Sequence, residues 1–109
     1  LQMRGACEAV VDALRAFPRE AVVWQRAGRA MAALANRHAG CQEALGRAGA
    51  CEAVHGGLQA FASDRLVSQV CCDAITTLTI DHVGHQHTLG GLGACEVVMD
   101  VMSRFSSDE

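Results

Sequence analysis

Apolar residues recur at helical spacing along the chain. One set lies at i, i+4 and i+7, positions that share one face of an α-helix. This set occurs three times, at intervals of 44 residues: Val10, Leu14 and Phe17; Val54, Leu58 and Phe61; Val98, Met102 and Phe105. The pattern predicts three equivalent amphipathic helices of medium length.

A second apolar stripe follows each of the first two helices. It consists of Val23, Ala27, Ala30 and Leu34 in the first copy, and of Val67, Cys71, Ala74 and Leu78 in the second. Each stripe predicts a longer helix, the first of which ends near Asn36. We expect this helix to follow a turn at Pro18 in the first copy, and to be N-capped by Ser63 or Asp64 in the second. Gly28 within the first stripe suggests a close contact between helices.

A short helix is predicted after each long one. It covers about Cys41 to Arg47 in the first copy and about His85 to Gly91 in the second, after a turn at Gly40 or Gly84. The chain then returns to a four-residue signature, Gly-Ala-Cys-Glu, at 5–8, 49–52 and 93–96. A strict period of this length indicates stacked structural units. In each signature we expect Gly to form a turn, Cys to be buried and Glu to favour the helix start.

Composition agrees with an all-α fold and limits the possible functions. Ala and Gly are abundant, Tyr is absent and Pro18 is the only proline. A formal charge of −3 provides no basic field for nucleic acid, and the apolar runs are too short to span a membrane. Of the six cysteines, Cys7, Cys51 and Cys95 share one repeat position within apolar helical sequence. We expect buried thiols in a reducing compartment, the cytoplasm or nucleus, rather than a disulfide framework.

The whole chain resembles the armadillo repeat. Gly49-Ala50-Cys51-Glu52-Ala53-Val54 is similar to the opening of that family's second helix, and Val23-x-Gln25-x-Ala27 with Ala33-Leu34-Ala35-Asn36 is similar to its third helix. The resemblance implies a right-handed α-solenoid of about two and a half three-helix repeats. It would form a single segment of a longer protein, with a partial repeat at 5–38, a full repeat at 39–81 and a partial repeat at 82–109. HEAT repeats are the nearest alternative.

The resemblance also implies a function, protein–protein interaction without catalysis. Third helices line the concave groove of an armadillo solenoid, where an Asn clamps the backbone of a bound peptide in peptide-binding members. The corresponding residues here are Gln25, Arg29, Ala32 and Asn36 in one repeat, and Gln69, Asp73, Thr76 and Ile80 in the next. Because Ile80 replaces the second Asn, and Ala32 and Thr76 replace the usual Trp, the regular Asn/Trp ladder is missing. A structural spacer without a ligand of its own is the alternative function.

Candidates for chemistry are weaker than this surface. Asp81-His82-x-x-His85-x-His87, with Cys71 and Cys72 upstream, could bind Zn²⁺, but no CxxC pair accompanies it. A solvated turn between helices explains these histidines better. We therefore expect no metal, cofactor or catalytic centre, and we interpret Trp24 as a packing residue. If the chain is an excised solenoid segment, Val98, Met102 and Phe105 should be partly exposed, and the fragment should self-associate through its ends.

Overall fold

The computed structural model of the chain is all-α, and it describes residues 3–36 and 38–106. The helices in these residues are α1 (Met3–Ala16), α2 (Ala21–Ala35), α3 (Ala39–Ala48), α4 (Ala50–Ala60), α5 (Arg65–Thr79), α6 (Val83–Leu92) and α7 (Ala94–Ser106). No strand occurs within the described ranges. The prediction of an all-α fold is confirmed.

The helix boundaries follow the period of the sequence. Helices α2 and α5 each have 15 residues and begin 44 residues apart, and α3 and α6 each have 10 residues with the same offset. Helices α4 and α7 also begin 44 residues apart. Short, medium and long helices therefore alternate as predicted, and each sequence copy corresponds to one structural copy.

Side chains cap the starts of three helices. The Asp64 carboxylate accepts a hydrogen bond from the Val67 N–H at 3.0 Å, which confirms the predicted N-cap of α5. Histidines have the same role at the two short helices, and one of them, His82, was predicted to lie in a solvated turn. His38 caps α3 and His82 caps α6, and each accepts a backbone N–H through Nδ1.

Glycine ends both short helices. Gly49 and Gly93 have φ values of 95° and 84°, in the left-handed region that favours glycine, and they connect α3 to α4 and α6 to α7. The prediction of a turn holds for these two signatures and is wrong for the first. Gly5 lies inside α1, which is continuous from Met3 to Ala16.

The predicted turns at Gly40 and Gly84 are also wrong. Both residues lie in the first turn of a helix, in α3 and α6 respectively. The chain reverses earlier, where Asn36 and Ile80 adopt extended backbone conformations and the capping histidines follow. The His38 and His82 side chains each accept a hydrogen bond from a backbone N–H in the first turn of a short helix. The short helices can therefore begin before Gly40 and Gly84, where turns were predicted.

The buried stripe of α5 matches the prediction, whereas that of α2 does not. Val67, Cys71, Ala74 and Leu78 are all buried. In α2 the buried positions are one residue further along: Trp24, Gly28, Met31 and Ala35. Helix α5 packs mainly on α2 and also contacts α4, α6 and α7, so it is covered on several sides. Helix α2 packs mainly on α1, α3 and α5, and these helices cover its predicted stripe only in part: Val23, Ala27 and Leu34 are half-buried, and Ala30 is exposed.

Two glycines allow the helices of neighbouring copies to approach closely. A Cβ at Gly28 would collide with the side chain of Val70 in α5, and a Cβ at Gly57 would collide with the Trp24 ring. The Trp24 ring also packs against Phe61, with 5.9 Å between the ring centroids. The predicted close contact at Gly28 and the packing role of Trp24 are therefore confirmed.

Burial decreases towards α7. Cys7 and Cys51 are buried as predicted, but Cys95 is exposed. The Cys7 thiol lies against the Cys41 carbonyl of α3, whereas no described helix follows α7 to cover Cys95. Met102 is 62% exposed, although the equivalent residue of α4, Leu58, is fully buried. Phe105 is half-buried. Partial exposure of this stripe was predicted, but the 52% exposure of Phe17 was not.

Candidate functional site

The eight predicted site residues lie on two adjacent helices and at their C-caps. We call them the α2–α5 strip: Gln25, Arg29, Ala32, Asn36, Gln69, Asp73, Thr76 and Ile80. Gln25 and Ala32 are half-buried, and the other six are exposed. Because α2 packs on α5, residues related by the 44-residue period lie on neighbouring helices.

The C-terminal end of the strip differs between its two helices. Asn36 and Ile80 are the C-caps of α2 and α5, and their backbone N–H groups donate to the Ala32 and Thr76 carbonyls. Their exposed side chains offer a ligand different contacts. The Asn36 amide can donate to and accept from a peptide backbone, whereas Ile80 offers only apolar surface.

The middle of the strip carries both charge signs. Arg29 and Asp73 are exposed and occupy equivalent positions on α2 and α5. The Thr76 hydroxyl donates to the Cys72 carbonyl of its own helix at 2.9 Å, so its proton is already used. A ligand of mixed charge fits this arrangement better than a strongly basic one does.

A second cluster joins residues from two copies of the repeat. The His82 Nε2 atom of the α6 cap lies 2.5 Å from Glu43 Oε1 of α3, and the His82 ring stacks on the His85 ring with 3.5 Å between centroids. The His85 ring is buried, and its Nδ1 atom lies 2.7 Å from the Leu78 carbonyl of α5. Only the two residues His82 and His85 come from the predicted histidine motif.

The hydrogen bonds define the proton positions in this cluster. The His82 Nδ1 atom accepts the His85 N–H, so a neutral His82 ring carries its proton on Nε2 and donates it to Glu43. This hydrogen bond holds the pKa of the Glu43 carboxyl below its ordinary value. A carbonyl oxygen can only accept, so His85 donates from Nδ1 to Leu78. The cluster thus connects α3, α5 and α6.

The cluster has the residue types of a zinc site but a competing structural role. The candidate ligand atoms of Glu43, His82 and His85 lie within 4.8 Å of one another. Neutral His82 could ligate through Nε2 only with its proton on Nδ1, which would remove the cap of α6. The expectation that the chain holds no metal remains a prediction. Stoichiometric zinc in protein purified without chelators would contradict it.

The cysteines have the properties of structural thiols. Burial raises the pKa of Cys51 to about 11 and that of Cys71 to about 12. Burial and the neighbouring Asp73 also raise the pKa of Cys72. Because the thiolate is the nucleophilic form, these residues are poorly suited to covalent catalysis at neutral pH.

A groove lies between α5 and α7. It has a volume of about 530 Å³, and we call it the α5–α7 groove; its lining residues are Arg65, Ser68, Gln69, Cys72, Asp73, Val101, Met102 and Phe105. Gln69 and Asp73 also belong to the strip, at its edge. The Arg65 guanidinium lies 5.2 Å from the centre of the Phe105 ring and so connects the two walls.

Sequence alone did not identify two residues of α3, Gln42 and Glu43, whose side chains bond to neighbouring helices. Gln42 of α3 is buried, and its amide donates to the Thr77 and Ile80 carbonyls at 2.8 and 2.9 Å, which holds the C-terminal end of α5. Glu43 pairs with a histidine 39 residues away. Gln42 recurs as Gln86 in the next copy, and this identity was a sequence signal that Gln42 has a structural role. No local signal identifies Glu43, because the equivalent residue is His87.

None of the described helices has the length and apolar character needed to cross a membrane. Comparison with known proteins adds no assignment to this geometry, because neither a family model, nor a curated protein, nor a solved structure matches the chain.

Proposed function

We propose that the chain is an armadillo-type, right-handed α-solenoid segment that binds a peptide or a partner domain through its α2–α5 strip. The adjacency of α2 and α5, which bear equivalent exposed residues, is the observation that carries the proposal. Helix boundaries that recur at 44 residues support the solenoid. In such a solenoid the strip would line the concave face.

The strip favours a particular kind of ligand. Asn36 can pair with both the N–H and the carbonyl of an extended backbone, and the half-buried Gln25 and the exposed Gln69 add further amides. Arg29 and Asp73 favour a segment that carries one acidic and one basic side chain, and Ile80 favours an apolar residue at one end. We propose a mixed-charge protein segment, and neither nucleic acid nor a membrane surface.

The proposed role is non-catalytic and needs no cofactor. The raised pKa values of Cys51 and Cys71 support this, since these thiols stay protonated at neutral pH. Six cysteines without a disulfide in the described residues are compatible with a reducing compartment, for which we propose the cytoplasm or nucleus.

The proposal is tested by changing the strip and measuring partner capture. In the Arg29→Glu, Asn36→Ala variant a charge is reversed and the amide is lost, so binding of a partner should fall by at least about tenfold, the equivalent of about 1.4 kcal/mol. The measurement is quantitative capture by the full-length protein, followed by affinity measurement for each captured protein. Circular dichroism verifies that the variant keeps its helices.

A matched variant controls for the change in charge and polarity. Arg19→Glu with Gln59→Ala alters an exposed arginine and an exposed amide away from the strip, and should leave capture unchanged. If both variants capture partners as the unchanged protein does, the strip is not the binding surface. That result would favour the alternative of a structural spacer between neighbouring repeats.

A further inference from the structure

Helices α2 and α5 run parallel, side by side. Trp24, near the start of α2, packs against Phe61, which lies just before α5 begins. At the other end Gln42 of α3, the helix that follows α2, donates to the Ile80 carbonyl at the C-cap of α5. Residues that are 44 apart therefore lie at the same height on the two helices, and the α2–α5 strip consists of such pairs.

Equivalent positions of the strip carry residues that complement one another. Arg29 corresponds to Asp73, so the two helices present opposite charges at one height, and the two glutamines of the strip also correspond. One turn before the glutamines, on the same helix faces, Val22 and Leu66 are apolar and yet 56% and 39% exposed. Only the pair at the C-terminal end, an amide and an apolar side chain, does not match.

A two-fold axis turns these correspondences into contacts. Such an axis can lie in the plane of the strip, between α2 and α5 and parallel to them. It places α2 of one copy against α5 of a second copy at the same height. Arg29 then faces Asp73 of the second copy, and Val22 faces Leu66 of the second copy. In an isologous interface each of these contacts is made twice.

We propose that the α2–α5 strip, together with Val22 and Leu66, is the interface of a symmetric dimer of this chain. Among the described residues neither Arg29 nor Asp73 forms an ion pair, so both charges are available to a second copy. The dimer goes beyond the proposed function, because it gives the strip a second occupant that competes with a protein segment.

The dimer should be weak and reversible. A helix of 15 residues is about 22 Å long, and helices pack about 10 Å apart, so the strip covers about 450 Å² on each copy. The total of about 900 Å² is below the roughly 1,200–2,000 Å² of a stable interface. We expect a dissociation constant on the order of 0.1 mM, which rises with salt because the charge contacts are near solvent.

Charge reversal tests the interface by sedimentation equilibrium of the 109-residue chain. Arg29→Asp sets like charges against each other in both symmetric contacts, so the dissociation constant should rise at least about tenfold. Asp73→Arg should have the same effect. An equimolar mixture of the two variants has opposite charges in both contacts again, so a heterodimer should form. The double variant Arg29→Asp, Asp73→Arg should also dimerise.

A matched variant controls for net charge. Arg26→Asp reverses another exposed arginine of α2, outside the strip, and should leave the dissociation constant within about twofold. Circular dichroism verifies that each variant is folded. The proposal is overturned by absence of a dimer up to about 1 mM. It is also overturned by equal weakening from Arg26→Asp and Arg29→Asp, or by a mixture of the two strip variants that stays monomeric.

Association through α7 is the competing arrangement. Met102→Asp places a charge on the exposed stripe of α7 and should leave the strip dimer intact. A dimer that Met102→Asp dissociates and Arg29→Asp does not would show association through α7, and would overturn the proposal. These measurements use the chain alone, whereas partner capture tests the proposed function, so the failure of one is distinguishable from the failure of the other.

Discussion

At the scale of single residues, two residues of the same type differ in burial and packing according to the helices that lie against them. Gly56 and Gly57 are adjacent in α4, yet only Gly57 faces the Trp24 ring, while nothing lies near a Cβ at Gly56. Likewise Cys51 and Cys95 occupy one repeat position, yet only Cys51 is buried. Neighbouring helices, rather than residue type, create these differences.

The two glycines should respond to alanine in opposite directions. Gly57→Ala should lower the free energy of unfolding by about 1–3 kcal/mol, because the new methyl group displaces the Trp24 ring. Gly56→Ala should raise it by about 0.5–1 kcal/mol, because alanine favours an exposed helix position. Urea unfolding measures both. A destabilised Gly56→Ala variant would contradict this reading of α4.

Thiol reactivity should follow burial. At pH 7.5, Cys95 should react with iodoacetamide first because it is exposed, while Cys51 and Cys71 should react at least about tenfold more slowly because burial raises their pKa values. Mass spectrometry of tryptic peptides over time measures each site. In guanidinium the differences should disappear, and rapid labelling of Cys71 in the native protein would contradict its assignment to the core.

At the scale of helices, the caps and their neighbours connect successive copies. His82 caps α6 through Nδ1 and donates to Glu43 of α3 through Nε2, so one ring serves both its own helix and the preceding copy. His38 caps α3 in the same way. Gln42 extends this connection from α3 to the end of α5.

The Glu43–His82 contact should make stability depend on acid pH. The pKa of Glu43 is lowered in the folded protein, so its contribution is present above the ordinary value of 4.5 and is lost as the pH falls through the lower folded value. Glu43→Gln should therefore be less stable than the unchanged protein at pH 5, and the difference should shrink towards about pH 3.

Urea unfolding across this range measures the effect. Asp12→Asn, an exposed change on α1, is the control, and should give no such convergence. If the difference between the Glu43→Gln variant and the unchanged protein stays constant with pH, the hydrogen bond from His82 does not stabilise the carboxylate.

At the scale of the whole molecule, α5 is the central helix. It packs mainly on α2 and also contacts α3, α4, α6 and α7. Its buried residues include Val67, Val70 and Leu78. Because α5 connects the helices before and after it, loss of its packing removes contacts in every copy.

Unfolding should therefore be a single cooperative transition. Trp24, the only tryptophan, reports on the contact between α2 and α4, whereas far-ultraviolet circular dichroism reports on all helices. The two signals should give coincident urea transitions. If the Trp24 signal changes at lower urea than the helical signal, the copies unfold separately, as in longer repeat arrays.

The sequence by itself determined the all-α class, the 44-residue period and the type and order of the helices, since helical spacing and capping are local properties. The turns at Gly49 and Gly93 and the Asp64 cap followed from the same local rules. The residues of the α2–α5 strip could be named because they sit on two predicted helices, while their binding role remains a proposal.

The tertiary structure alone decided what depends on neighbouring helices. It buried Trp24, Gly28, Met31 and Ala35 of α2 instead of the stripe one residue earlier, and it left Cys95 exposed. It also joined Glu43 to His82 and opened the groove beside Met102. Periodicity defines the faces of a helix, but burial of a face depends on which helices pack against it, and that is a property of the assembled fold.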